Sequence, residues 1–370
     1  MEIQKKVANL STNLRNKITF GERNYAMSPT TPITNFLVHT KRHCNGGKMV
    51  EASLWLKNHC EQGGKIFLTM SGAGSSFQQG IMISELIRAK KIGAISVTGA
   101  NLEESIYRLV SPDDYGYISS YQELTPEEEK ELDRAGLRRI TDTFLPEDET
   151  VRVILPHFER FLRDAEATGK HLLWHEYFWK LFEEKLITFN EKHAKNCWVY
   201  QAYLHNIPIV VPGIEDSTMG NIVTHMCYSG NHPFLSKYKL EHPIKAEVVH
   251  HSFSYMHRLT EWYMDNTKKR GLAFLQLGGG IAADFPICAV PHLKKDFLEA
   301  LEPEEQDKLI KPWAGFIEIG SSPMSFGSYS GAGFKEKITW SKFEVDAYGC
   351  KIDGDYTEFF PDIAAIVLGW

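Results

Sequence analysis

Residues 65–76 read KIFLTMSGAGSS. Lys65–Met70 is a short apolar run, Ser71–Ser76 is a loop of small residues, and a helical pattern follows to about Ala89. An apolar run of this length, closed by turn residues, is the signature of a strand buried on both faces. The same grammar recurs along the chain. Ile92–Thr98 (IGAISVT) ends in Gly99–Asn101 and leads into a helix starting near Glu103. Ile207–Val211 ends in Pro212-Gly213-Ile214-Glu215-Asp216, Leu272–Leu277 in Gly278-Gly279-Gly280, and Gly315–Ile319 in Gly320-Ser321-Ser322. Strands alternating with helices predict an α/β fold, a mostly parallel sheet covered by helices on both faces.

The chain has 370 residues and 43% hydrophobic content, enough for a single large domain with a sizeable core. Residues 49–60 (MVEASLWLKNHC) carry apolar positions at helical spacing. Residues 1–40 are polar, with Pro29 and Pro32 near their end, and read as an N-terminal arm before a core at 41–370. Residues 112–150 are rich in Pro, Asp and Glu and read as an excursion from the sheet, with a helix near Pro126–Ala135.

Net charge is −6 and the isoelectric point is near 6.2, which argues against a nucleic-acid binder. The six cysteines form no CxxC pair, so a reducing, cytoplasmic setting is expected. Charges run through residues 1–20 with no apolar h-region, and no stretch approaches the ~18–20 apolar residues of a membrane span. His171, His175, His193, His205 and the adjacent His250 and His251 form no metal-binding pattern such as HExxH and read as surface or core histidines; no metal is expected.

Five strands ending in small residues point to a shared ligand. In open parallel sheets ligands bind outside the carboxyl ends of the strands, where small residues let them approach the backbone. A dinucleotide is the economical choice and makes the fold Rossmann-like, although the GxGxxG fingerprint is missing. Candidate contacts are Ser71, Gly72, Ala73, Thr98, Gly99, Gly279, Gly280 and Ser321. Asp216 and Asp355 are candidate ribose or adenosine partners; each is equally placed to cap a helix.

Residues 326–345 read FGSYSGAGFKEKITWSKFEV. Trp340-Ser341-Lys342 resembles the active-site segment of the deoxyhypusine synthase family, in which a tryptophan precedes an imine-forming lysine by two positions. Val345-Asp346-Ala347 and Asp353-Gly354-Asp355 continue the match, as do Phe67-Leu68-Thr69 with Ser71-Gly72-Ala73, Val97-Thr98, Leu102-Glu103-Glu104, Gly136–Ile140 with Leu145-Pro146, Ile207-Pro208 through Asp216, and Gly278–Gly280. The resemblance covers roughly residues 60–370. It implies NAD-dependent transfer of an aminobutyl group from a polyamine through an imine on Lys342, with Glu104 among the cofactor contacts. It also implies a homotetramer with active sites at subunit interfaces. Trp340 would supply an apolar wall and a cation–π partner, and Glu336 would pair with a substrate ammonium.

The chain departs from the family's pattern in the substrate pocket. Asp284 stands where a histidine is expected, and Asn221, Phe326 and Tyr329 stand where acidic residues are expected. The reading is therefore a divergent member with covalent chemistry on Lys342 and a changed donor or acceptor. A small-amine acceptor, as in homospermidine synthases, is one outcome, and whether a protein lysine is modified stays open. Two other classes compete: an NAD-binding pseudoenzyme, and an ordinary NAD oxidoreductase that releases NADH.

Overall fold

The computed structural model describes residues 2–20, 33–250, 252–267 and 271–370. Pro29, Pro32 and His251 lie outside them. The core elements appear in chain order as α1 (Cys44–Glu61), β1 (Lys65–Met70), α2 (Gly80–Arg88), β2 (Ile92–Val97), α3 (Gly99–Val110), β3 (Ile209–Val210), α4 (Thr218–Met226), β4 (Leu272–Leu277), α5 (Ile281–Ile287), β5 (Trp313–Gly320), α6 (Phe334–Thr339), β6 (Phe343–Asp353) and α7 (Tyr356–Leu368). Other elements are named by their residues.

The six strands form one sheet in the order β3-β2-β1-β4-β5-β6, and every neighbouring pair is parallel. This is the order of doubly wound dinucleotide folds, in which the chain starts at the centre, builds outward, then returns to build the other half. The central pair joins β1 to β4 through six partners, Lys65↔Leu272 to Met70↔Leu277. All of β4 and five of the six residues of β1 are buried. Phe67, Phe274 and Phe316 are register partners across β1, β4 and β5, and their rings stack at 5.6 and 6.0 Å. Trp313 packs on Phe67 and Phe274 at 5.1 and 5.0 Å, and its indole N–H donates to the Ile287 carbonyl at 3.1 Å. Burying rings of this size contributes about 1.5–3 kcal/mol each.

The excursion predicted at 112–150 builds a second, antiparallel sheet in the order Ile18–Phe20, Gly116–Ile118, Thr143–Pro146, Leu137–Ile140. Its helix, Pro126–Arg134, begins with a capping box formed by Thr125 and Glu128. Ile3, Val7, Leu10 and Leu14 of the N-terminal segment share a separate core with Ile118, Leu132, Leu137 and Phe144. Lys6 pairs with Glu149 at 2.9 Å and Asp148 at 3.0 Å. The described part of the expected arm is thus held by its own chain.

Two local readings change. β6 was not foreseen, and the helix after β3 is capped by Ser217, whose Oγ accepts from the Gly220 N–H at 3.0 Å, not by Asp216. β6 is an edge strand bonded to β5. Its register jumps from Trp313↔Phe343 to Gly315↔Tyr348, so Glu344–Ala347 bulge out of the ladder.

Asn101, fully buried at the start of α3, ties the two central loops together. Its Nδ2 donates to the carbonyls of Met70 (3.2 Å) and Gly72 (2.8 Å), and its Oδ1 accepts from the Ser75 N–H at 2.9 Å. Replacing it by alanine strands buried backbone groups, each costing about 1–3 kcal/mol. Asn101→Ala should lower stability by about 2–4 kcal/mol and soften the 71–79 loop. Thermal unfolding and amide exchange over that loop check this, and an unchanged melting temperature would refute it.

Candidate active site

The chain-order reversal between β1 and β4 sends their loops in opposite directions and opens a crevice at the sheet's carboxyl edge. Ser71 Oγ donates to the Gly279 carbonyl across this crevice, and Tyr356 of α7 donates to the Ser71 carbonyl at 2.8 Å. Gly72 and Gly280 are exposed and left-handed, with φ of +66° and +80°. A Cβ on Gly280 would meet nothing within 4 Å, so the backbone there faces open space. A Cβ on Gly279 would lie 1.9 Å from Ser330 Oγ, so the β5–β6 crossover is seated directly on the glycine triplet.

Thr98 caps α3, its Oγ1 accepting from the Asn101 N–H at 3.3 Å, and Gly99 is buried beneath it against Ser217. Ala73 is half-buried and Ser321 exposed at the end of β5. Asp355 caps α7: its Oδ1 accepts from the Thr357 N–H at 2.7 Å and the Thr357 hydroxyl at 2.6 Å. Asp355 also lines a cleft of about 510 Å³ with Ser76, Gln79, Tyr117 and Tyr121. Asp216 and Asn221 share a second cleft, of about 380 Å³, with Glu103, Glu104, Tyr107 and Arg138. Asn221 turns back onto its own helix, donating to the Ser217 carbonyl at 2.8 Å.

Glu103 and Glu104 are both buried. Glu103 accepts from the Thr218 and Met219 N–H groups, each at 2.8 Å, and so holds the start of α4. Glu104 accepts from Ser76 Oγ at 2.8 Å. Burial pushes Glu103 up to about 7, opposed by the N–H groups of Met219 and Thr218. Burial pushes Glu104 up to about 8, opposed by the Ser76 hydroxyl and reinforced by Glu103.

Lys342 precedes β6 and so starts from the opposite, amino end of the sheet. It is buried at 7% exposure while Trp340, two residues earlier, is 62% exposed. Ser341 between them has φ +57°, a left-handed turn that separates the two side chains. The Lys342 Nζ lies 3.8 Å from Asp284 Oδ1 and 5.9 Å from the centre of the Tyr329 ring. Asp284 sits in the first turn of α5, four residues beyond Gly280, about 6 Å along the helix from the glycine triplet. The lysine and the glycine loop are therefore joined by one turn of helix. Cys288, one turn further on, has its thiol pushed up by burial, with Lys342 beside it pulling down.

Three partners were not foreseen. Lys337 of α6 is 2% exposed and Glu318 of β5 is 1% exposed, and Lys351 of β6 approaches Glu318 at 3.6 Å. Lys351 also donates to the Ser330 carbonyl at 2.6 Å, which pins the crossover carrying Tyr329. The Tyr329 hydroxyl is buried without a hydrogen-bond partner among the described residues. Glu336, Met324 and Phe326 are exposed around this cluster. His175 is a core histidine: its Nδ1 meets the Tyr255 hydroxyl at 2.9 Å, and burial pushes it down to about 3. Among the described residues no group of three or more His, Cys, Asp or Glu is arranged to hold a metal. No helix among them is long and apolar enough to cross a membrane.

A family profile described as deoxyhypusine synthase matches residues 40–367. The chain is 25% identical over 327 residues to the "Probable deoxyhypusine synthase" of Methanocaldococcus jannaschii, covering 87% of each. It is 24% identical over 283 residues to the protein of the same description from Schizosaccharomyces pombe, covering 76% of this chain and 67% of that one. A solved chain, "Crystal Structure of a putative deoxyhypusine synthase from Entamoeba histolytica", is 11% identical, covers 90% of each chain and superimposes with a TM-score of 0.49.

The buried glutamates give the fold a pH dependence. The folded Glu104 value lies above the ordinary 4.5, so between about pH 4.5 and 8 the folded chain keeps a proton that the unfolded chain has released. Stability from this group is therefore present at low pH and lost as pH rises through 8. Glu104→Gln, permanently neutral, should be more stable than the parent at pH 8 by on the order of 2 kcal/mol and no more stable at pH 4.5. Melting curves of the two proteins across this range check it; parallel curves would refute it.

Proposed function

The chain belongs to the deoxyhypusine synthase family, and from that premise we propose that it is an NAD-dependent aminoalkyl transferase in which Lys342 carries the transferred group as an imine. The observation that supports this most directly is the buried Lys342 Nζ 3.8 Å from Asp284 Oδ1, one helical turn from the open glycine loop.

The residues at the crevice fit a dinucleotide. The strand order places the reversal between β1 and β4, Gly280 leaves its backbone open, and Gly72 faces it with small neighbours. Ser71, Gly72, Ala73, Thr98, Gly99, Gly279, Gly280 and Ser321 would hold it, with Glu104, Asp216 and Asp355 as the polar partners along the two clefts. When bound, the cofactor supplies hydride removal from the donor amine and hydride return to the product.

Lys342 acts on the oxidised donor. As a neutral amine it adds to the imine carbon, the rest of the donor leaves as an amine, and the transferred group stays on Nζ. The acceptor amine then repeats the exchange and frees the lysine. Asp284 is placed to take and return the proton of Nζ.

Exposed Met324, Phe326 and Trp340 around a buried catalytic group suit a face covered by another copy of the chain, and we propose a homotetramer in which that cover completes the amine pocket. Asp284, Asn221 and Tyr329 in place of the expected residues favour an altered amine over unchanged spermidine. Removing one partner of a desolvated ion pair costs about 2–5 kcal/mol. The acceptor in this reading is a small amine or a protein lysine.

Borohydride added with NAD and the right polyamine should trap an adduct on a peptide containing Trp340 and Lys342, read by intact and peptide mass. Lys342→Arg stays protonated and should abolish trapping while NAD still raises the melting temperature. Failure of every polyamine, diamine and agmatine-like donor to trap on the parent protein would favour the NAD-binding pseudoenzyme.

A further inference from the structure

Lys337 occupies a site built for an ammonium. Its Nζ lies 4.7 Å from the centre of the Tyr329 ring and 5.0 Å from that of Phe316, and it donates to the Ala332 carbonyl at 2.9 Å. Glu318, itself 1% exposed, supplies a carboxylate that acts favourably on the charge. Two aromatic faces, a carbonyl and a buried carboxylate are the elements that recognise alkylammonium ions. The Lys342 Nζ approaches the same Tyr329 ring at 5.9 Å. The Tyr329 ring is thus shared by the catalytic lysine and a cage already filled by a second lysine of the same helix-to-strand segment.

We propose that Lys337 is a tethered ammonium filling an amine subsite against Tyr329, so that it occupies space next to Lys342 that one end of a longer donor would use, and the pocket takes a correspondingly shorter donor. Burial opposes the charge of Lys337 and lowers it from its ordinary value, with Glu318 pulling back. An internal cation held against that opposition needs the cage it sits in. The same cage should accept a free alkylammonium once the tether is removed. The consequence for donor length rests on the transferase reading; the existence of the subsite does not.

Lys337→Ala deletes the atoms of n-propylammonium. Adding n-propylammonium chloride should raise the melting temperature of Lys337→Ala by on the order of 2 °C at ten times its dissociation constant. Potassium chloride and 1-propanol at equal concentration should not. The parent protein and Lys337→Met, which fills the same space without charge, should show no response to the amine. An equal response of all three proteins, or none from Lys337→Ala, overturns the proposal. Should Lys337→Ala fail to fold in plain buffer, recovery of soluble protein on refolding with propylammonium is the same result by another readout, and no recovery counts against it. Turnover enters none of these measurements. A rescued Lys337→Ala together with a parent that traps no amine on Lys342 would defeat the transferase reading and leave the subsite standing.

Discussion

The parallel pairing of Lys65–Met70 with Leu272–Leu277 is the contact on which the rest depends. Parallel strands cannot be joined by a hairpin, so each connection must cross a face of the sheet and cover it. Here the two partners are some two hundred residues apart in sequence, and β2 and β3 have already been laid on one side before β4 arrives on the other. That order sends the chain away from β1 and from β4 in opposite directions, with Ser71 and Gly279 bonded where they part. The glycine triplet, the small-residue loop and the seat of the β5–β6 crossover are all consequences of that one reversal.

Strands buried on both faces were legible because apolar residues dominate them, although Thr69, Ser96, Gln276 and Glu318 are buried there too. Lys65–Met70 and Leu272–Leu277 match their expected limits, and the other three foreseen strands differ by a residue or two at the ends. β6 was hidden because an edge strand with a bulge need not be apolar: FEVDAYGCKID is mostly half-exposed or exposed. The resemblance singled out Trp340 and Lys342, but spacing alone could not say that their side chains part company, because that turns on the left-handed backbone of Ser341. Lys337 had no sequence signal. In FKEKIT one lysine is exposed and the other is 2% exposed, and only the packing of α6 on Phe316 and Tyr329 decides which.

The polar interior around Lys342 is a coupled set of charges. Lys337, Lys342 and Lys351 are balanced by Asp284 and Glu318, with Tyr329 among them. In a low-dielectric interior each such charge is retained only where partners hold it. Changing one member alters the others, so Asp284, Tyr329, Lys337 and Glu318 behave as one cluster.

The ends of the main sheet bear on a different hazard. A free strand edge offers unpaired N–H and C=O groups to any passing chain, and long flat edges seed aggregates. On one side the sheet stops at Ile209–Val210, a strand two residues long and too short to serve as a template. On the other, the bulge at Glu344–Ala347 breaks the ladder and sets Glu344 and Asp346 in solvent on either side of Val345, itself 84% exposed. The irregularity that made β6 hard to read in the sequence is thus also what keeps sheets of neighbouring molecules from growing into one another.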